Sequence, residues 1–145
     1  MEERYELYFW VGRCLQVEGQ IREAVRCFEE CWRWSGQFAE EHPLRLVSQH
    51  ELAGAYQSDG QIKKAVGLPE QVVAVRERTL AEEHPGRLAS QYNLVMAYRA
   101  DGQISQALEL IKQLVAVESR TLQEDHPDRL ASLSAFENLL EVASQ

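Results

Sequence analysis

The apolar residues of this chain are spaced for helices rather than strands. Leu88, Leu94, Val95 and Tyr98 trace one helical stripe, and Ile104, Ala107, Leu108, Ile111, Leu114, Val115 and Val117 trace a second. No alternating β-branched runs lie between turns, as strands would require. Proline and glycine punctuate the stripes. Pro85 suits a first helical position, because its missing N–H would be an orphan there anyway. Gly102 supplies a left-handed residue just past a helix end. The pattern predicts an all-α chain of seven helices, at about 2–18, 21–35, 43–58, 62–80, 85–100, 104–123 and 127–143.

The punctuation recurs at a fixed step. His42-Pro43, His84-Pro85 and His126-Pro127 are each 42 residues apart, and Glu82-Glu83-His84-Pro85-Gly86-Arg87-Leu88 has close copies around the other two. Gly19-Gln20-Ile21, Gly60-Gln61-Ile62 and Gly102-Gln103-Ile104 form a second series, with the first pair 41 apart, so the first unit lacks one residue near Ser35-Gly36. A period of this length implies a stacked array of one supersecondary unit. Neither helix of a unit buries its apolar face alone, so neighbouring units must stack. The expectation is a single array over 1–145, with repeats at about 2–41, 42–83 and 84–125 and a half repeat at 126–145. Pro69 breaks the pattern, standing where the second helix of its unit needs a large apolar residue. An interior proline removes a backbone hydrogen bond at a cost of ~3 kcal/mol, which predicts a kink or a broken helix near Gly67–Pro69.

Within each unit the spacing resembles the tetratricopeptide repeat. Leu52, Ala53, Tyr56 and Ala65 match its large, small, Tyr and Ala positions in the second unit. Leu94, Tyr98 and Ala107 match in the third, with Val95 at the small position. Val11, Gly12, Leu15 and Ala24 fit in the first, with Leu15 in place of Tyr. The ordinary repeat has about 34 residues; the longer form with a His-Pro loop resembles that of kinesin light chains. The wording Glu-Glu-His-Pro-x-Arg-Leu-Ala-Ser-Gln, with Ala-Tyr-x-x-Asp-Gly-Gln-Ile, is more similar still to arrays at the C-termini of fungal NOD-like receptor proteins. The resemblance implies a right-handed α-solenoid of about three and a half helical hairpins. It further implies a non-catalytic protein-binding role, with the first helix of each unit lining a concave groove.

Projecting the family pattern onto this sequence gives groove positions Glu6, Phe9, Trp10, Arg13 and Gln16 in the first unit. The second contributes His50, Glu51 and Gln57, the third Tyr92, Asn93, Met96 and Arg99, and the fourth Ser134, Asn138 and Glu141. These positions vary between copies while the framework repeats. Exposed aromatics beside arginine are the usual anchors of a binding patch. In kinesin light chains an Asn before the framework Leu contacts cargo peptides. Asn93 matches it here, whereas Trp10, Glu51 and Ala135 stand in the other copies.

Composition narrows the partners. Hydrophobic residues are 45% and charged residues 26%, as in a folded chain, and the net charge is −8. Such acidity opposes binding to nucleic acid and to anionic membranes. No apolar run is long enough to span a bilayer. Met1-Glu2-Glu3-Arg4 offers no basic segment followed by an apolar one, so no secretory signal is expected. Three cysteines, Cys14, Cys27 and Cys31, without a C-x-x-C pair fit a reducing, cytoplasmic setting.

Catalytic chemistry is not evident: there is no Gly-rich phosphate loop and no ordered Ser, His and Asp set, and no cofactor is implied. The three repeated histidines precede helix-opening prolines and are expected to cap. Equivalent helices in successive units stand at least ~8–10 Å apart, while zinc binds nitrogen at ~2.0–2.1 Å, so no metal is expected. Cys27 and Cys31, a turn apart, are expected in the core. The first helix is rich in aromatics and the last carries Leu130, Leu133, Phe136, Leu139, Leu140 and Val142. Apolar ends of this kind would let the array associate with itself, or pack against further repeats.

Overall fold

In the computed structural model, which describes residues 2–145, the chain forms α1 (Glu2–Val17), α2 (Ile21–Ser35), α3 (Pro43–Ser58), α4 (Ile62–Thr79), α5 (Pro85–Ala100), α6 (Ile104–Thr121) and α7 (Pro127–Ala143). Among the described residues there is no strand. The fold is thus the all-α repeat expected, with α1, α4 and α6 ending one or two residues early.

Side chains of the repeated motifs make the joints. The imidazole Nδ1 of His42 accepts from the Leu44 N–H at 3.2 Å, that of His84 from Gly86 at 3.0 Å, and that of His126 from Asp128 at 3.1 Å. Each histidine therefore satisfies one orphan donor of the helix that its following proline opens. The arginine three residues on closes the preceding helix. Arg45, Arg87 and Arg129 donate to the carbonyls of Phe38, Leu80 and Leu122 at 2.9, 3.1 and 3.0 Å. These carbonyls turn to the guanidinium instead of continuing the helical ladder, which is why α4 and α6 stop short.

At the other joint Gly19, Gly60 and Gly102 take positive φ, near 75–83°. The next N–H, of Gln20, Gln61 and Gln103, then reaches back to the carbonyls of Leu15, Tyr56 and Tyr98. This is the Schellman ending, and its left-handed residue favours glycine. In the first repeat α2 has 15 residues where α4 and α6 have 18, so the helix gives up three residues and the loop before His42 gains two, which leaves the repeat one residue short.

The chain divides into two compact units, one ending at Pro69 and one beginning at Glu70, so the division falls inside α4. The first has a core of Ala24, Val25 and Phe28 from α2, Leu52, Ala55 and Tyr56 from α3, and Ala65 and Leu68 from α4. α1 lies close on α2 because Gly12 has no side chain: a Cβ there would sit 2.9 Å from Phe28 Cε1. The second has Leu88 and Val95 from α5, Ala107, Ile111, Leu114 and Val117 from α6, and Ala135 and Leu139 from α7. The framework residues Leu52, Tyr56, Ala65, Leu94 and Ala107 are buried, and Ala53 and Tyr98 are half-buried. Val11 departs from its framework reading: it is exposed with Leu7, on a part of α1 that no other described helix covers.

α4 runs unbroken through Pro69, so the helix is not interrupted there. Phe28 and Ile111, at the same place in α2 and α6, are fully buried, whereas Pro69 is half-buried and fills less of its core.

The aromatic wealth of the first unit is mostly internal, which corrects the picture of an open aromatic end. Tyr5 is buried against Trp34 with ring centroids 4.7 Å apart, Trp34 meets Phe38 at 5.0 Å, and Phe38 stacks on His42 at 4.0 Å. The Tyr5 hydroxyl lies 3.1 Å from Ser48 Oγ, tying α1 to α3. Cys31 is fully buried, where burial pushes its thiol up to about 12, and Cys27 is half-buried.

Candidate functional site

In the first unit the predicted surface is an aromatic and charged cluster on α1 and α3. Trp10 is 61% exposed and meets Phe9 edge to face at 5.5 Å. Phe9 is half-buried and packs toward Phe28, which anchors the pair to the core. The Arg13 guanidinium stands 5.9 Å from the Phe9 ring centroid and donates to Glu51 at 3.1 Å. Phe9, Trp10, Arg13 and Glu51 are thus brought together. Arg13 is exposed and Glu51 half-buried, so the role of the pair is to orient side chains more than to stabilise. Glu6, His50 and Gln57 are exposed on the same helices without a contact to that cluster.

In the second unit Tyr92 and Met96 are half-buried against the core, while Asn93 and Arg99 are exposed. Asn138 on α7 is half-buried, and its Oδ1 has no hydrogen-bond partner among the described residues. Tyr92 and Asn93 line a cleft of about 250 Å³ between α5, the end of α6 and the start of α7. Its apolar wall includes Pro85, Leu88 and Leu122, and its polar side carries Glu83, Glu118, His126, Asp128 and Ser132. Met96, Arg99 and Asn138 do not line it. A second cleft of about 330 Å³, among α4, α5 and α6, includes Glu70, Glu77, Tyr98 and Glu109.

Glu118 is the residue that reasoning from the sequence missed. It is only 3% exposed, and burial raises its carboxyl above the ordinary range. Asp128 raises it further, while a hydrogen bond from Ser132 and the nearby His126 and Arg129 act the other way. A signal was available. Counting from Ile21, Ile62 and Ile104, the same position holds Ser35, Arg76 and Glu118 in turn. Ser35 donates to the Trp32 carbonyl and Arg76 to the Gly86 carbonyl, so the other two copies are neutral or cationic where this one is acidic.

The repeated histidines each cap a helix, and no group of three or more His, Cys, Asp or Glu lies together in a metal-holding arrangement among the described residues. No described helix is long and apolar enough to cross a membrane.

The model of a family described as "Tetratricopeptide repeat" matches residues 45–86 and 87–128, three residues later in phase than the units counted from the histidines. Among solved structures, the chain is similar to the nearly identical TPR-like repeats of a protein from Podosopora anserina assigned as a kinesin light chain, with 44% identity and a TM-score of 0.84 over 100% of this chain and 70% of that one. A BtubC (BKLC) structure from P. vanneervenii matches at 14% identity and a TM-score of 0.78, covering 97% of this chain and 56% of that one. The Sgt2 TPR domain from Aspergillus fumigatus matches at 14% identity and a TM-score of 0.64, covering 97% and 81%. At that identity the last two speak for the fold alone. No curated protein matches the sequence.

Proposed function

The chain belongs to the tetratricopeptide repeat family, and from that premise we propose that it is a non-catalytic interaction module that captures a peptide or helix of a partner protein on the first helices of its repeats. Repeats of this family generally mediate protein–protein interaction. The observation that carries the finer reading is Trp10: a large aromatic, 61% exposed, propped on Phe9 and beside Arg13. Tryptophan and arginine are enriched in binding hot spots, where they fill well-packed, desolvated pockets. Glu6, His50, Glu51 and Gln57 extend the first-unit surface, and Tyr92, Asn93, Met96, Arg99 and Asn138 form that of the second. On this reading the module serves as a scaffold or sensor in the cytoplasm, takes neither nucleic acid nor membrane, and needs no cofactor. Panning a random peptide library on the wild-type protein and on Trp10→Ala and Tyr92→Ala tests it. Binders should lose about tenfold or more in affinity with at least one substitution, and full retention by both rejects the surface.

A second reading is structural. α7 exposes Leu130, Leu140 and Val142, and α1 exposes Leu7 and Val11. These patches support self-association, or a regulatory role in a receptor of the fungal NOD-like type. Light scattering over a range of concentrations decides on self-association: mass rising with concentration favours it, and a monomer throughout rejects it.

A further inference from the structure

Glu118 is a carboxylate at the bottom of a cleft, with its Oε1 buried and without a hydrogen-bond partner among the described residues. An unpaired buried acceptor forfeits its hydration with nothing in return. The nearby His126 and Arg129 lower its carboxyl but give Oε1 no hydrogen bond. His126 is engaged through Nδ1 with the Asp128 N–H, and Arg129 donates to the Leu122 carbonyl. Glu83 and Asp128 on the cleft wall add negative charge.

We propose that this cleft receives a lysine side chain from a partner peptide, its ammonium seated on the Glu118 carboxylate, an inference that rests on the peptide-binding reading above. The volume suits one side chain: about 250 Å³ lies below the ~300–1,000 Å³ of small-molecule pockets. Pro85, Leu88, Leu122 and the Tyr92 ring offer an apolar sleeve for the alkyl stem. Lysine fits better than arginine. Oε1 is the one carboxylate oxygen that is buried without a partner among the described residues, which suits a point-charge ammonium rather than a fork that needs two. The copies at Ser35 and Arg76 carry no acid, so the acidic floor is particular to this unit and is not part of the repeat framework.

The test titrates N-acetyl-lysine methylamide into the full chain and follows the methyl resonances of Leu88, Leu122 and Ala131 by NMR. Saturable shifts are expected, weakened about tenfold or more by Glu118→Gln and absent with the Nε-acetylated analogue. Burial holds the Glu118 carboxyl protonated to higher pH than usual, so binding also weakens on acidification in the wild type but not in Glu118→Gln. Thermal melts followed by circular dichroism verify that Glu118→Gln folds. No shifts, or equal shifts with the acetylated analogue or in Glu118→Gln, overturn the proposal. Library peptides then separate the two readings. Binders needing both a lysine and Glu118 support both. Binders that need Trp10 but neither lysine nor Glu118 keep the surface and overturn the cleft. Shifts with the lysine probe but no library binder keep the cleft and count against the wider surface.

Discussion

Tyr56 and Tyr98 repeat one interaction, and it gives the protein an alkaline weak point. Each hydroxyl donates to a carboxylate on the helix packed beside it, Tyr56 to Glu29 and Tyr98 to Glu70, both at 2.8 Å. Burial first, and then the acceptor's negative charge, push both phenols up to about 12 from the ordinary 10.0. The folded chain thus holds protons that an unfolded chain releases near pH 10. The resulting stabilisation is complete below pH 10 and is lost as pH climbs toward about 12. Denaturant midpoints measured across that window should fall for the wild type and fall distinctly less for a Tyr56→Phe/Tyr98→Phe double variant. Equal slopes would mean that the two pairs contribute nothing. The framework tyrosines themselves were legible from spacing. Their acceptors were not, since Glu29 and Glu70 lie among other exposed acids and only packing singles them out. Glu118 was hidden for the same reason: a single acid within Val117-Glu118-Ser119 has no mark of burial until α7 brings Ser132 against it.

Whole helices were more legible than single side chains, because their ends are written in local chemistry. A proline fixes the first turn and a left-handed glycine the last, and neither needs tertiary information. What local chemistry could not give was the arginine clasp at Arg45, Arg87 and Arg129, which acts across a loop and shortens α4 and α6. Nor could it decide the effect of Pro69. α4 survives it because surrounding burial of Val66, Leu68 and Val73 compensates for one absent hydrogen bond. The lesion still costs stability. Pro69→Ala restores a donor to the Ala65 carbonyl and removes the ring clash, so it should stabilise the protein by up to about 3 kcal/mol. Isoleucine, the residue at this place in α6, should add buried area to that gain. Thermal melts compare the three. A melting temperature that drops with Pro69→Ala would mean that the proline is built into the helix's path rather than merely tolerated.

At the scale of the molecule the question is how far stability is shared. A repeat array is held by contacts between neighbours, so its stability is closer to a sum of local terms than to one indivisible quantity. The two core clusters make that concrete. Leu52 sits at 1% exposure among Phe28, Ala55 and Ala65, while Ile111 and Leu114, at 0% and 1%, centre the other cluster with Leu139. Leu52→Ala should cost the first cluster about 2–5 kcal/mol through lost transfer energy and the cavity left behind. Native-state hydrogen exchange can read where that loss appears. If stability is local, amides of α2 and α3 lose protection by nearly the full amount, while those around Ile111 and Leu114 in α6 lose far less. If both sets fall equally, the chain unfolds as one unit despite its two cores, and damage at either end would be felt throughout.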